Sequence, residues 1–128
     1  MTTYNSLTEA IAAGRNKRKA RGRITRRTPG VMNKLESKWS EHLRLEQQAG
    51  RVVDFWFETH KYRLADKTWY TPDFVVLNAD GSIHVHEVKG FWEDDARVKI
   101  KVFAEKFFMY EVFAVSRKGW QWVMESFQ

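Results

Sequence analysis

Apolar positions change their period along this chain, and the changes mark out its elements. From Val31 to Gln48 the period is helical, with Leu35, Trp39 and Leu43, and His42 beside them, recurring at intervals of three and four. Ala49-Gly50 then supplies a C-terminal cap, since glycine enters the left-handed region without a Cβ clash. From Arg51 to Leu64 the period falls to two: Val53, Phe55 and Phe57 alternate against Asp54, Trp56 and Glu58, and the whole stretch is expected as strand. Further strands are expected over about 69–77 and 82–89, joined by Asn78-Ala79-Asp80-Gly81, because Asp-Gly suits the positive φ angles of a tight hairpin. Helical spacing returns after Glu93-Asp94-Asp95, acidic residues that favour a helix N-terminus, and runs through Phe108 with Ile100, Phe103, Ala104 and Phe107 on one face. Glu111 to Ser116 reads as strand, and Trp120 to Val123 as a short last one after the turn at Arg117-Lys118-Gly119. The expected order is α-β-β-β-α-β, an α/β fold with a mixed sheet.

An N-terminal extension precedes this core. Ser6-Leu7-Thr8-Glu9 has the form of a capping box for a short helix ending before Gly14, and Thr28-Pro29-Gly30 separates an arm, 1–30, from a domain, 31–128. The net charge of +6 changes the picture of that arm. Residues 1–30 hold eight basic residues (Arg15, Lys17, Arg18, Lys19, Arg21, Arg23, Arg26 and Arg27) against one acid, Glu9, a net +7; the remainder holds 14 basic against 15 acidic, a net −1. A basic block of this kind suits nucleic acid, here DNA, because each cation placed on a phosphate releases counterions; a solvated, disordered tail, or an RNA-binding or targeting signal, is the plainer alternative. At 128 residues, 43% hydrophobic, there is material for one core only. The chain has no Cys, which excludes disulfides and thiolate metal sites. No apolar run approaches a membrane span and no signal-peptide core is present, so a cytoplasmic protein without a membrane partner is expected.

The candidate chemistry lies at the ends of the two hairpin strands. Pro72-Asp73 opens one, and Glu87-Val88-Lys89 closes the other. Side chains alternate, so Glu87 and Lys89 share a face with Ile83 and Val85, as Asp73 does with Val75 and Leu77, and the hairpin sets Asp73 beside Glu87. Two carboxylates hold a hard cation such as Mg²⁺, and a neighbouring ammonium orients a water or neutralises a phosphate oxygen. On the first helix, Glu36 lies about 60° from Trp39, on the border of the buried stripe, whereas Glu41 lies about 160° away, facing solvent. Lys99 and Lys106, seven apart on the second helix, share a face that suits a phosphate backbone or simply solvent. His84 and His86 share the face opposite Glu87; a His-x-His pair binds Zn²⁺, but no third ligand is evident. Trp39, Trp120 and Trp122 are expected in the core or an interface, with Trp56 a further interface candidate, and Trp92, beside the strand end, is placed to meet DNA.

Pro72-Asp73, Glu87-Val88-Lys89 and the α-β-β-β-α-β order resemble the PD-(D/E)XK nuclease superfamily. More narrowly, Tyr70-Thr71-Pro72-Asp73-Phe74, Glu87-Val88-Lys89-Gly90-Phe91-Trp92-Glu93-Asp94-Asp95 and the helix segment Leu35-Glu36 resemble the phage endonuclease I family of Holliday-junction resolvases, over roughly residues 31–115. The resemblance implies Mg²⁺-dependent hydrolysis of DNA phosphodiesters at branch points by a homodimer, with Mn²⁺ substituting, in a phage protein acting inside a bacterial host. It implies that Asp73, Glu87 and the Val88 carbonyl bind metal, that Glu36 completes a second metal position, and that Lys89 orients the attacking water. Two other functions fit the same residues: a nicking, end-trimming or restriction-like nuclease, and a non-catalytic nucleic-acid-binding protein whose basic arm carries the affinity.

Overall fold

A computed structural model describes residues 28–128. The arm residues Arg15, Lys17, Arg18, Lys19, Arg21, Arg23, Arg26 and Arg27, and the helix expected after Ser6, lie outside the described residues. Helix α1 spans Lys34–Gln48. It starts three residues later than its apolar period, because Asn33 is the N-cap: its side chain accepts from the Glu36 N–H while the Glu36 carboxylate accepts from the Asn33 N–H. At the other end Gly50 adopts φ +86, its N–H donating to the Gln47 carbonyl and that of Arg51 to the Glu46 carbonyl, which closes the helix in a Schellman motif.

The stretch expected as one strand over 51–64 is two. Strand β1 is Val52–Phe57 and β2 is Tyr62–Ala65. The break falls at Glu58, which holds φ +49 and turns the chain out of the sheet. The strand expected over 69–77 also divides, into β3, Thr68–Tyr70, and β4, Phe74–Asn78, because Pro72 has no N–H to give a ladder. Among the described residues, strands β2 and β3 pair only with each other, as a separate two-stranded sheet around a turn where Lys67 takes φ +57.

Strand β5, Ile83–Val88, pairs antiparallel with β4 in the register Phe74 with His86 and Val75 with Val85. The expected turn between them is present, with Gly81 at φ +90. Helix α2, Asp94–Lys106, crosses from β5 to the parallel strand β6, Glu111–Lys118. Glu93 stands at its N-cap, where its carbonyl accepts from the Ala96 and Arg97 N–H groups but its side chain makes no capping hydrogen bond, and the helix stops before Phe107, which packs half-buried on the core. Strand β7, Gln121–Ser126, completes a sheet of order β1-β4-β5-β6-β7. The architecture is mixed α/β, with a mostly antiparallel sheet and one parallel pair.

The sheet divides the core in two. On one face Trp39 and Leu43 of α1 pack on Val52, Phe74, Val76, Val88 and Val115. On the other, Ile100, Phe103 and Ala104 of α2, with Leu64 and Tyr70 of the hairpin, pack on Val75, Val85 and Val112. Trp56 and Trp122 join these clusters from the edges, so both are occupied within the chain, while Trp120 is 90% exposed rather than buried. Trp92 packs half-buried against Phe127, with the Arg97 guanidinium over its ring.

Candidate metal centre

Four chain segments meet at one end of the sheet: the first turn of α1, the exit of β1, the entry of β4 and the exit of β5. Asp73 and Glu87 stand one position past the Phe74–His86 pair. Asp73 is 3% exposed, and its Oδ2 accepts from the Val88 N–H at 2.8 Å. Val88 therefore meets Asp73 through its backbone N–H, a different group from the carbonyl that the resemblance assigns to metal, while its side chain packs in the α1 core. Glu36 is 1% exposed, a rare position for a carboxylate, and its oxygen also closes the capping box of α1.

Oxygens of Glu36, Glu58 and Asp73 lie within 4.8 Å of one another, a set that could hold a metal ion. Glu58 belongs to this set although its alternation placed it only as a polar strand position. Its N–H donates to the Asp73 carbonyl at 2.9 Å, and its Oε1 accepts from the Gly30 N–H at 2.8 Å. A non-glycine residue at positive φ costs about 1–2 kcal/mol, so packing must hold the chain there. The reversal at Glu58 sets its carboxylate beside Asp73. No local sequence signal marks such a turn; a carboxylate at the end of an alternating run is the only cue.

Glu87 stands beside this set rather than in it. Its Oε1 accepts from the Tyr70 hydroxyl at 2.6 Å and its Oε2 lies 3.7 Å from Lys89 Nζ. The hairpin sheet thus closes one flank of the site through Tyr70. Burial, followed by the charges of Glu87 and Glu36, pushes the Asp73 carboxyl up to about 8, against the pull of the Val88 N–H and Lys89. Glu87 is raised as well, mainly by burial, with Tyr70 and Lys89 holding it back. Burial and the nearby carboxylates push the Tyr70 hydroxyl far above its ordinary range, so it remains a donor. A cation held among these carboxylates would favour their charged forms and so oppose the upward shifts of Asp73 and Glu87. Donors that are all carboxylate oxygens fit Mg²⁺, Mn²⁺ or Ca²⁺.

The remaining candidates are placed elsewhere. His86 is buried on the α1 face, where its Nδ1 accepts from Trp39 Nε1 at 3.1 Å and its Nε2 lies 3.4 Å from His84 Nδ1. Burial drives its pKa down to about 3, so the imidazole is a neutral core group with one nitrogen already engaged. Lys99 and Lys106 are exposed on α2, and Lys106 Nζ donates to the Leu64 carbonyl at 3.2 Å, tying α2 to β2. Glu41 is exposed, as its helical angle requires. No helix of the described residues is long and apolar enough to cross a membrane.

No curated protein and no solved structure matches this chain. Residues 16–123, which take in part of the basic arm and every side chain of the site, match the family described as Protein of unknown function (DUF1064), and the chain belongs to that family.

Proposed function

We propose that the protein is a divalent-metal-dependent endonuclease acting on DNA, with branched DNA such as a four-way junction as its preferred substrate. The observation that carries this reading is the convergence of Glu36, Glu58 and Asp73 at a strand end where Glu87 and Lys89 stand together. Glu36, Glu58 and Asp73 would hold the cation, with Glu87 as a further oxygen donor on the neighbouring strand. A bound Mg²⁺ or Mn²⁺ supplies charge against the phosphate and makes water a stronger acid. Lys89 presents an ammonium 3.7 Å from Glu87, where it orients a water or neutralises a phosphate oxygen. Tyr70 positions Glu87 by holding one of its two oxygens. The basic residues of 1–30 would bring the substrate's phosphates to this end of the domain.

Resolving a four-way junction takes two opposed cuts, and each chain carries one such set, so a homodimer is the simplest active species. Purified protein would be incubated with Mg²⁺, Mn²⁺ or chelator and offered linear duplex, single strand, flap and four-way junction. Cleavage with either metal, none in chelator, and preference for the junction are expected, with a scattering mass about twice the 15.2 kDa chain. Failure to cut any of the four with either metal would retire the reading.

A further inference from the structure

The tip of the β6–β7 hairpin is an unusual surface. Lys118 pairs with Gln121, leaving Gly119 and Trp120 as a two-residue turn. Gly119 takes φ +63 and Trp120 does not share that region, the pattern of a type II′ turn with glycine leading. The indole therefore stands at the apex, 90% exposed. Trp122, two positions on, turns back onto Trp39, and the Arg117 guanidinium lies 4.6 Å from its ring centroid, which fixes Arg117 as a wall. Trp120, Gly119 and Arg117 face Leu35 and Lys38 of α1 across an open cavity of about 390 Å³. That volume is within the range of small-ligand sites.

Among the described residues the lining holds two cations, an indole and an apolar floor, and no acid. Cations beside an exposed aromatic face match a strand whose phosphates meet Lys38 and Arg117 while a base stacks on Trp120. A paired base keeps its faces inside the duplex stack, so an unpaired one fits. The floor also adjoins the metal centre: Leu35 precedes Glu36, and its Cδ2 lies 3.9 Å from the Cβ position of Gly90, the residue after Lys89. We propose that this pocket binds an unpaired nucleobase of a DNA strand, with Trp120 as the stacking surface and Lys38 and Arg117 as phosphate contacts. The proposal names a substrate feature for the nuclease reading and rests on it for the position of the strand.

Binding of labelled oligothymidylate and of blunt duplex of equal length would be followed by fluorescence anisotropy in chelator, with the full chain. Trp120→Ala should weaken single-strand binding about tenfold, as the loss of one stacked base does. Trp120→Phe should restore most of it, and duplex binding should not change. Lys38→Gln with Arg117→Gln should lower the slope of log affinity against log salt by about 1.4, the release expected of two single-strand phosphates, whereas Trp120→Ala should leave that slope alone. Single-strand affinity unchanged in Trp120→Ala, or lost equally on duplex, overturns the pocket. Tighter Trp120-dependent binding of oligouridylate overturns the DNA assignment. Cleavage is scored separately in Mg²⁺. A wild type that cuts nothing but binds single strands through Trp120 removes the nuclease reading and keeps the pocket; one that cuts while Trp120→Ala binds normally does the reverse.

Discussion

The Tyr70 hydroxyl donates to Glu87 Oε1 at 2.6 Å and joins two sheets that share no backbone pairing. Tyr70 belongs to the β2–β3 hairpin and Glu87 to the main sheet, so the hairpin's packing on α2 decides how one carboxylate of the site is held. Tyr70→Phe should leave a buried carboxylate without its donor and destabilise the fold by about 1–3 kcal/mol. That hydrogen bond favours the charged form of Glu87, so its loss raises the Glu87 pKa further. The acid limb of a cleavage pH profile should move to higher pH. An unmoved limb would mean that Tyr70 does not set the charge of Glu87.

Glu58 offers a separation of backbone from ligand. Glu58→Gly suits the φ of +49 and should preserve the turn while removing the carboxylate. Calorimetric titration with Mn²⁺ should show binding lost in Glu58→Gly and in Asp73→Ala, and retained in Glu41→Ala. Full Mn²⁺ affinity in Glu58→Gly would place the ion elsewhere.

Cleavage should fall by at least about a hundredfold in Asp73→Ala, Glu87→Ala and Lys89→Ala, the scale on which a single charge-stabilising group acts. Glu36→Ala should reduce both cleavage and stability, because Glu36 also closes the capping box of α1. Wild-type rates in Asp73→Ala, with contaminants excluded, would end the catalytic assignment.

The site should also write its signature on stability against pH. The folded pKa of Asp73 is raised to about 8, so its contribution is present below the unfolded value and is lost as pH rises through about 8. His86 acts with the opposite sign: its folded pKa is lowered to about 3, so its contribution is present above the unfolded value of about 6.5 and is lost as pH falls. The two oppose each other between about pH 4 and 6.5, and above that the carboxylates act alone. In chelator the Tm should fall between about pH 6.5 and 8, by about 5 °C per unit for one proton released. Mg²⁺ at millimolar concentration should flatten the fall, because the ion binds the ionised carboxylates. A fall of equal slope with Mg²⁺, or one that persists in Asp73→Asn, would separate it from the site.

Removing residues 1–27 takes away eight cations and none of the residues placed at the metal centre. Duplex affinity should drop, and the slope of its logarithm against log salt should shrink by about 0.9 for each phosphate that the arm neutralises. Cleavage should persist at low salt. An unchanged slope would show that the arm touches no phosphate.

Much of the frame was legible in the chain. The helical stripe of Trp39 and Leu43, the Asp80-Gly81 turn and the alternation through Val85 and Glu87 are local signals, and each appears where its period places it. Asp73, Glu87 and Lys89 were legible for the same reason, since alternation and one hairpin suffice to bring them together. Alternation says which face a side chain takes and nothing of where the backbone leaves a sheet, so the breaks at Glu58 and Pro72 merged four strands into two. The capping Asn33 was obscured by apolar Val31 and Met32, which continue the apolar character of the helix without its backbone.

Sequence by itself determined the amphipathic periods, the succession of helical and extended stretches and the chemical types at two strand ends, because those depend on neighbours within a few residues. Tertiary structure alone decided that Glu58 joins Glu36 and Asp73, that Tyr70 holds Glu87, and that Trp120 stands free beside Lys38 while Trp122 packs away. Those relationships span tens of residues. They exist only because the two cores, one on each face of the sheet, hold α1 and the hairpin against the same end of it.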